Sequence, residues 1–413
     1  MDNNNSENID VKSNYTEKSV WLIKEFRWLF LGALFSTFAG KVYEIFLPLL
    51  IYRLTHSPEI MGWMRAVEFL PYVLLAIVMG VWIDRVDRKI WCQWMLGGQL
   101  ICITISWLAV KYASQPLWFL FPCAFSMMAL NFGYLNARMG LVREAVPLSQ
   151  QGTASAAFSS LVSIFQAMGP ALSGILLLFS DFSIIYLVIA SLIFLSWYAL
   201  NEFSMNVTDV KKVTRLADDI KTGLKILYVN SKLLKMSFSV SIFNMCMLMF
   251  IIQSLYFTQA VLSFSSARLG IMVSLSGIGG VLGSLVVGFI RKKFGLGCAF
   301  ISGVVFQIFS YLILLVDKSG LIFYMAFFLS GFFETIVGVS VYTWRQESTQ
   351  KEHLGKVMGI TGTIFKVASP FGLVASGYIM GYVGINGLLW LCCGLHLILS
   401  FYLIVNKDIK QAR

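Results

Sequence analysis

The chain has 413 residues, 58% of them apolar and 13% charged, with 34 Phe, 18 Met and 11 Trp. A soluble globular domain carries about 25% charged residues, so a soluble enzyme or a free-standing nucleic-acid-binding domain is excluded. The net charge of +11 is spread by position and forms no aromatic-and-basic motif for nucleic acid.

In chain order, residues 1–27 form a polar tail without an apolar core, so no cleavable signal peptide is expected and the first span directs insertion. Apolar runs follow at 28–52, 60–83, 91–110, 117–139, 154–179, 183–200, 236–260, 269–290, 298–316, 321–343, 357–380 and 385–405. Each is close to the ~20 residues that cross a bilayer. In lipid every backbone N–H and C=O is satisfied within the segment, which makes these runs helices, and the period-two alternation of a membrane barrel is missing. The predicted fold is therefore all-α and integral to the membrane, with 12 transmembrane helices in two six-helix bundles over 28–200 and 236–405. Residues 201–235 link the bundles, and 406–413 form a C-terminal tail. In the linker, Leu216, Ile220, Leu224 and Leu227 recur at helical spacing with Lys221, Lys225 and Lys232 on other faces. That pattern predicts an amphipathic helix at the membrane surface, with a solvated linker as the alternative. Arg53, Lys111, Arg268 and Lys318 fall in loops on one side and Lys41, Arg65 and Lys366 inside spans, while the other Lys and Arg residues lie on the opposite side, Arg138 at the edge of its span. This asymmetry predicts a multi-pass cell-membrane protein with both termini in the cytoplasm.

The two halves echo each other. Arg143-Glu144 precede Gly152, Phe158 and Gly174, while Arg345-Gln346-Glu347 precede Gly355, Phe365 and Gly377. The interval from Gly152 to Gly174 equals that from Gly355 to Gly377. Gly80 closes the second span ahead of Asp84-Arg85 and Arg88-Lys89, as Gly288 closes the eighth ahead of Arg291-Lys292-Lys293. Parallel six-span repeats around a central cavity are the plan of one large transporter class.

Charges inside the spans mark candidate functional residues. Thr37, Gly40, Lys41 and Glu44 share one face of the first span, and Arg65 and Glu68 lie in the second. A charge at mid-bilayer costs about 2.5–3.5 kcal/mol on insertion scales, so these groups should pair and face inward. The antiparallel register sets Lys41 opposite Glu68 and Glu44 opposite Arg65. Glu334 and Lys366 lie at comparable depth in the tenth and eleventh spans and are expected to pair. Glu44, Glu68 and Glu334 are the candidate proton-coupling residues: burial disfavours a charged carboxylate, a nearby cation favours it, and alternating access changes which prevails. A static ion-pair set that orients helices is the alternative. Lys41, Arg65 and Lys366 are then structural partners or, for an acidic substrate, anion-binding groups.

Further cavity candidates are Thr37, Asn131, Tyr134, Gln166, Asn244, Gln253 and Thr335. Gly331, Glu334, Thr335, Gly338 and Tyr342 give the tenth span one small and polar face. Met236, Met245, Met247 and Met249 read as packing, and His56, His353 and His396 as peripheral. The seven cysteines lack metal-ligand spacing and read as small hydrophobes. No metal and no cofactor are expected.

The segment Gly80-Val81-Trp82-Ile83-Asp84-Arg85-Val86-Asp87-Arg88-Lys89 resembles the loop signature G-x-x-x-D-R-x-G-R-K between spans 2 and 3 of the major facilitator superfamily. Asp87 stands where that pattern has its second glycine. The D-R-x-D-R form is similar to the branch that holds macrolide efflux proteins and enterobactin-type siderophore exporters. Two further stretches resemble the same branch: Pro48-Leu49-Leu50-Ile51-Tyr52 with Ser57-Pro58, and Gly169-Pro170-Ala171-Leu172-Ser173-Gly174. The last is also similar to the antiporter motif of drug/proton exchangers. In physical terms, Gly80 permits close helix approach, with a plain positive-inside anchor made by Arg85, Arg88 and Lys89 as the alternative reading of the loop. Asp84 is placed to face the start of the eleventh span near Gly355-Lys356, where a carboxylate is favoured by about 0.3–1 kcal/mol. Gly169-Pro170 is expected to bend or open the fifth span, and Gly174 to allow close packing between the halves.

No G-x-x-x-x-G-K-[S/T] phosphate cradle occurs in the sequence, so ATP is not expected to drive the chain. The resemblance implies a secondary active transporter of the inner membrane, exporting a drug, macrolide or siderophore-like molecule by alternating access and proton antiport. Its expected partners are a small-molecule substrate, protons and the lipid bilayer, with no nucleic acid, and it is expected to act as a monomer. Lipid or lysophospholipid transport by the same fold is the alternative. An intramembrane enzyme or a non-transporting receptor is a more remote one, since the three histidines are scattered.

Overall fold

The computed structural model describes residues 19–75, 86–176, 182–204, 224–350, 354–406 and 409. Among them the first half contributes α1 (Lys24–Thr55), α2 (Pro58–Leu74), α3 (Arg88–Tyr112), α4 (Leu117–Ala145), α5 (Gln151–Leu176) and α6 (Phe182–Asn201). The second half contributes α7 (Ser231–Ala260), α8 (Ser266–Phe294), α9 (Leu296–Val316), α10 (Gly320–Glu347), α11 (Leu354–Val367), α12 (Ser369–Tyr382) and α13 (Gly384–Val405). Ten stretches of the described residues are long and apolar enough to cross a membrane, the eleventh expected span counting as one across α11 and α12. The helices α2 and α5 stand at the remaining two expected positions.

Short polar turns start several helices by accepting their free N–H groups, as capping requires. Ser57 accepts from Ile60 N at 3.2 Å, Asp87 from Lys89 N at 2.8 Å and Ile90 N at 3.0 Å, and Asn230 from Leu233 N at 3.1 Å. Asp87 thus earns its place in the loop by capping α3. Most of the expected linker helix lies outside the described residues; residues 224–229 are helical, and Leu227 packs into the core of the second half.

The two halves repeat one packing plan. In the first, α1 packs on α6, α2 on α4, and α3 on both α4 and α6; in the second, α7 packs on α13, α8 on α10, and α9 on both α10 and α13. Side-chain contacts repeat too. Arg88 pairs with Glu144 and Arg291 with Glu347, each pair 56 residues apart along the chain. The Arg138 guanidinium lies 5.2 Å from the Phe158 ring centroid and that of Arg345 5.0 Å from Phe365, with equal sequence spacing. Both arginines sit within α4 and α10, and Arg138 is buried, so the basic side begins deeper than the apolar runs imply.

Between the halves, α2 packs on α12, α5 on α8 and α1 on α7, the cross-pairing that a pseudo-twofold axis produces. The contacts are tightest at the end opposite the basic loops. There α2 and α12 cross at glycines: a Cβ on Gly62 would stand 2.5 Å from the Leu373 carbonyl oxygen, and one on Gly377 2.7 Å from Glu59 Cα and from the Pro58 carbonyl oxygen. Trp63 Nε1 donates to Tyr378 Oη at 3.3 Å, and Tyr256 Oη to the His56 carbonyl at 3.4 Å. Toward the basic end no hydrogen bond or ion pair joins the halves among the described residues, and Gly152 of α5 and Gly288 of α8 have open space beside them. Among the described residues the gap between the halves is therefore sealed at the outer end and opens toward the basic end.

Within the second half the closest crossing is α8 on α10. A Cβ on Gly279, Gly283 or Gly331 would run into the backbone of Phe328, Phe332 or Ser276 respectively, the close approach that small residues permit in membranes. This accounts for Gly331 and Thr335 of the polar face on the tenth span: both turn toward α8, with Thr335 Oγ1 against Gly280, while Glu334, Gly338 and Tyr342 of that group are exposed.

Candidate functional site

Midway along the bundle, four charged side chains form a linked series in the first half. Lys41 Nζ lies 2.8 Å from Glu44 Oε2, Glu44 Oε1 3.4 Å from Arg65 Nη2, and Arg65 Nη1 2.9 Å from Glu68 Oε2. The series leads from the gap into the packed interior. The side chains of Lys41 and Glu44 are 25% and 37% exposed, those of Arg65 and Glu68 4% and 0%. Thr37 is half-buried on the same face of α1, and a Cβ on Gly40 would meet nothing within 4 Å.

The Glu44–Arg65 pairing follows the expected register. Lys41 and Glu68 were expected to pair with each other, but each finds a partner three residues along its own helix, where side chains share a face. At the buried end, Arg65 Nε and Glu68 Oε1 have no hydrogen-bond partner.

The second half faces this series from across the gap. Glu334 of α10 is exposed to it and interacts electrostatically with Lys41 and Glu44. Lys366 of α11 reaches to the first half, its ammonium 3.3 Å from the ring centroid of Tyr72, which also lies beside Asn131. The expected Glu334–Lys366 pair is not formed, because both side chains turn toward α1 and α2 instead of toward each other. The Tyr72 ring face offers the ammonium an attractive site in its place.

A broken helix positions Lys366. The eleventh span was expected to be one rod, but it divides at Ala368 into α11 and α12. Pro370 lacks the N–H that would bond the Lys366 carbonyl. Two α7 side chains satisfy the groups the break exposes: Asn244 Nδ2 donates to the Phe365 carbonyl at 3.1 Å, and Ser241 Oγ accepts from Ala368 N at 3.4 Å. Asn244 therefore holds the break beside the gap. In the fifth span, where a bend or opening was expected at Gly169-Pro170, α5 is helical from Gln151 to Leu176. The side chain of Gln166 and the surroundings of Gly169, Pro170 and Gly174 lie outside what the structure describes.

Residues 29–316 and 236–412 match the model of the Major Facilitator Superfamily. The chain belongs to the Major Facilitator Superfamily. It is similar to an uncharacterized transporter of that superfamily, YfiS, from Bacillus subtilis (strain 168), at 24% identity over 89% of each chain. It is also similar to macrolide efflux protein A of Streptococcus pyogenes, at 22% identity over 89% of this chain and 91% of that one. Among solved structures, a bacterial homologue of the iron transporter ferroportin in an inward-facing state aligns with TM-score 0.72 and 13% identity, covering 94% of this chain and 99% of that one. The nucleoside transporter NupG aligns with TM-score 0.68 and 13% identity, covering 94% and 100%. At that identity the structures share the fold alone. The chain is thus a multi-pass membrane transporter and not an enzyme.

In the superfamily's loop signature, Gly80, Asp84 and Arg85 lie outside the described residues, as does His353. Arg88 pairs with Glu144 of α4, and Lys89 Nζ donates to the carbonyls of Asn201 at 3.4 Å and Phe203 at 2.5 Å, tying the start of α3 to the ends of α4 and α6. Two cavity candidates are core residues instead. Tyr134 is buried with its hydroxyl 3.4 Å from Ser196 Oγ, and Gln253 is buried with Nε2 donating to Ser376 Oγ at 3.1 Å. His396, expected at the periphery, is fully buried between Phe243 and Tyr311. An apolar span leaves a helix face undetermined by composition, so such polar residues serve packing as readily as a cavity. Met236, Met247 and Met249 are buried in the core. All seven cysteines are free thiols. No group of three or more His, Cys, Asp or Glu suited to a metal occurs among the described residues.

Proposed function

We propose that this transporter exports a small molecule from the cytoplasm by alternating access, in exchange for protons. The observation that carries the reading is the series Lys41–Glu44–Arg65–Glu68. It joins a gap open toward the basic end to a buried carboxylate with one unpartnered oxygen. By the charge asymmetry of the loops the basic end and both termini face the cytoplasm, so the gap presents Lys41, Glu44, Glu334 and Lys366 to cytoplasmic substrate. Glu44, exposed and shared between Lys41 and Arg65, exchanges protons with the gap; Arg65 passes the change in charge to Glu68. Glu334, facing Lys41 from the other half, makes the protonation state matter to how the halves fit together. When a carboxylate is neutralised its cation is released, which favours a different arrangement of α1 and α2 against α10 and α11.

Macrolide efflux protein A is among the relatives along nearly the whole chain, which supports a macrolide-like drug as substrate. Lys41, Arg65 and Lys366 would equally receive the acidic groups of a siderophore-like chelator. The loop signature at Gly80, Asp84, Arg85, Arg88 and Lys89 would close the basic end when the outer end opens. Each chain holds a complete gap, so the working unit is a monomer.

The test is transport by purified protein in liposomes under an imposed pH gradient, with a panel of macrolides, dyes, siderophores and lysolipids. Gradient-dependent flux of a macrolide or siderophore is the expected result. Flux of lysolipid alone would move the reading to lipid transport, and flux indifferent to the gradient would remove the protons from it.

A further inference from the structure

A groove of about 440 Å³ runs down the outer face of the second half, lined by Ile290 and Phe294 of α8, Cys298, Ser302 and Phe306 of α9, and residues of α10 including Phe332. It is separate from the gap, since Glu334 leaves α10 on the opposite side. Its wall is apolar apart from Cys298 and Ser302, and the Ser302 hydroxyl is already spent on the Ala299 carbonyl at 2.8 Å. No wall group therefore calls for water. The groove begins at the basic end, where α8 stops at Phe294 and α9 starts at Leu296. Phe306 lies about 15 Å down α9 at 1.5 Å per residue, which is one leaflet of a hydrocarbon core about 30 Å thick.

The mouth is strongly basic. Arg291, Lys292 and Lys293 are consecutive and exposed in the last turn of α8. Arg291 is engaged by Glu347, while Lys292 and Lys293 have no ion pair among the described residues. The Lys293 ammonium lies 5.2 Å from the ring centroid of Phe294, itself a groove residue. At 100° per residue Lys292 leaves α8 on the side away from Ile290 and Phe294, so Lys293 is the cation at the rim. An apolar slot one leaflet deep, with that cation at its rim, matches a single acyl chain beneath a phosphodiester. A zwitterionic headgroup would bring its own cation up to it.

We propose that this groove binds an anionic phospholipid, phosphatidylglycerol, with one acyl chain between α8, α9 and α10 and its phosphate on Lys293. The transported substrate does not pass through it. Native mass spectrometry of the full-length protein in detergent, titrated with phosphatidylglycerol and with phosphatidylethanolamine of the same chains, tests the assignment. Phosphatidylglycerol should be retained at lower concentration, and Lys293→Gln should weaken it about fivefold, the usual worth of a basic residue at a membrane surface, while Lys292→Gln, on the far side of α8, should weaken it less. Phosphatidylglycerol should also slow maleimide labelling of the native Cys298 thiol, read by peptide mass, while the ethanolamine lipid should not. Equal retention of the two lipids, or retention unchanged by Lys293→Gln, overturns the headgroup assignment. Unaltered Cys298 labelling at saturating phosphatidylglycerol overturns the groove.

Discussion

Adding one methyl group at Gly377 should force the outer end of the transporter open. In the sealed arrangement a Cβ there stands 2.7 Å from Glu59 Cα and from the Pro58 carbonyl oxygen. Both are backbone atoms at the start of α2, so no side-chain rotation relieves the clash and α2 must separate from α12. Overpacking of this kind costs about 1–3 kcal/mol. That cost falls on the outer-sealed state alone, because the crossing comes apart when the outer end opens. A state-specific term of that size shifts the balance about 5- to 150-fold. The reporter is a cysteine at Gly40, where a Cβ meets open space on the gap-facing side of α1, labelled by a membrane-impermeant maleimide from either side of the membrane. In a Gly40→Cys background, Gly377→Ala should raise labelling from outside and lower it in inverted vesicles. Gly62→Ala, which meets the Leu373 carbonyl oxygen at 2.5 Å, should do the same. Normal insertion of Gly377→Ala with labelling unchanged on both sides would refute the reasoning, since the crossing would then not be the seal.

Other variants probe the remaining parts. Asn244→Ala strips the Phe365 carbonyl of its donor at the helix break, a part-buried hydrogen bond worth about 0.5–1.5 kcal/mol, so the thermal unfolding midpoint should fall; an unchanged midpoint would mean the break does not need α7. Gly331→Ala drives a methyl into the Ser276 backbone, whereas Gly338→Ala, seven residues along the same helix, meets nothing within 4 Å. The first should lose thermal stability at the upper end of about 1–3 kcal/mol or beyond and the second should not, and equal effects would contradict the α8–α10 crossing. Arg88→Glu and Glu144→Arg should each weaken transport, and the double exchange should restore part of it. A double variant no better than either single one would deny that this ion pair matters.

The spans were legible because lipid leaves the backbone no alternative to helix, and the repeat was legible at Arg88 and Arg291 because each half ties that arginine to a glutamate 56 residues on. The Glu44–Arg65 pair could be read from register, since equal depth on antiparallel helices suffices to place it. Direction around the helix axis could not be read in spans that are apolar nearly all round. Tyr134, Gln253 and His396 therefore proved to be core residues, and Gly331 and Thr335 proved to face α8. Lys366 was misjudged because an aromatic partner on another half leaves no mark in sequence spacing. The proline that matters to the site is Pro370, whose cost depends on Asn244 and Ser241 being on hand to satisfy the break. Arg138 and Arg345 sit just at the edges of apolar runs, where hydropathy cannot separate a loop cation from one buried over Phe158 or Phe365. The glycine row Gly279 and Gly283 was a signal available in the sequence, at the spacing that packs helices in membranes.

The account rests on membrane-buried carboxylates that exchange protons as substrate binds, and proton release can be measured directly. Purified transporter in weakly buffered detergent, mixed with the panel compound it transports, should release protons detectable with a pH indicator. Glu68→Gln, Glu44→Gln and Glu334→Gln should reduce that release while substrate still binds. Binding without any proton release by the unaltered protein, or release undiminished in all three variants, would contradict it.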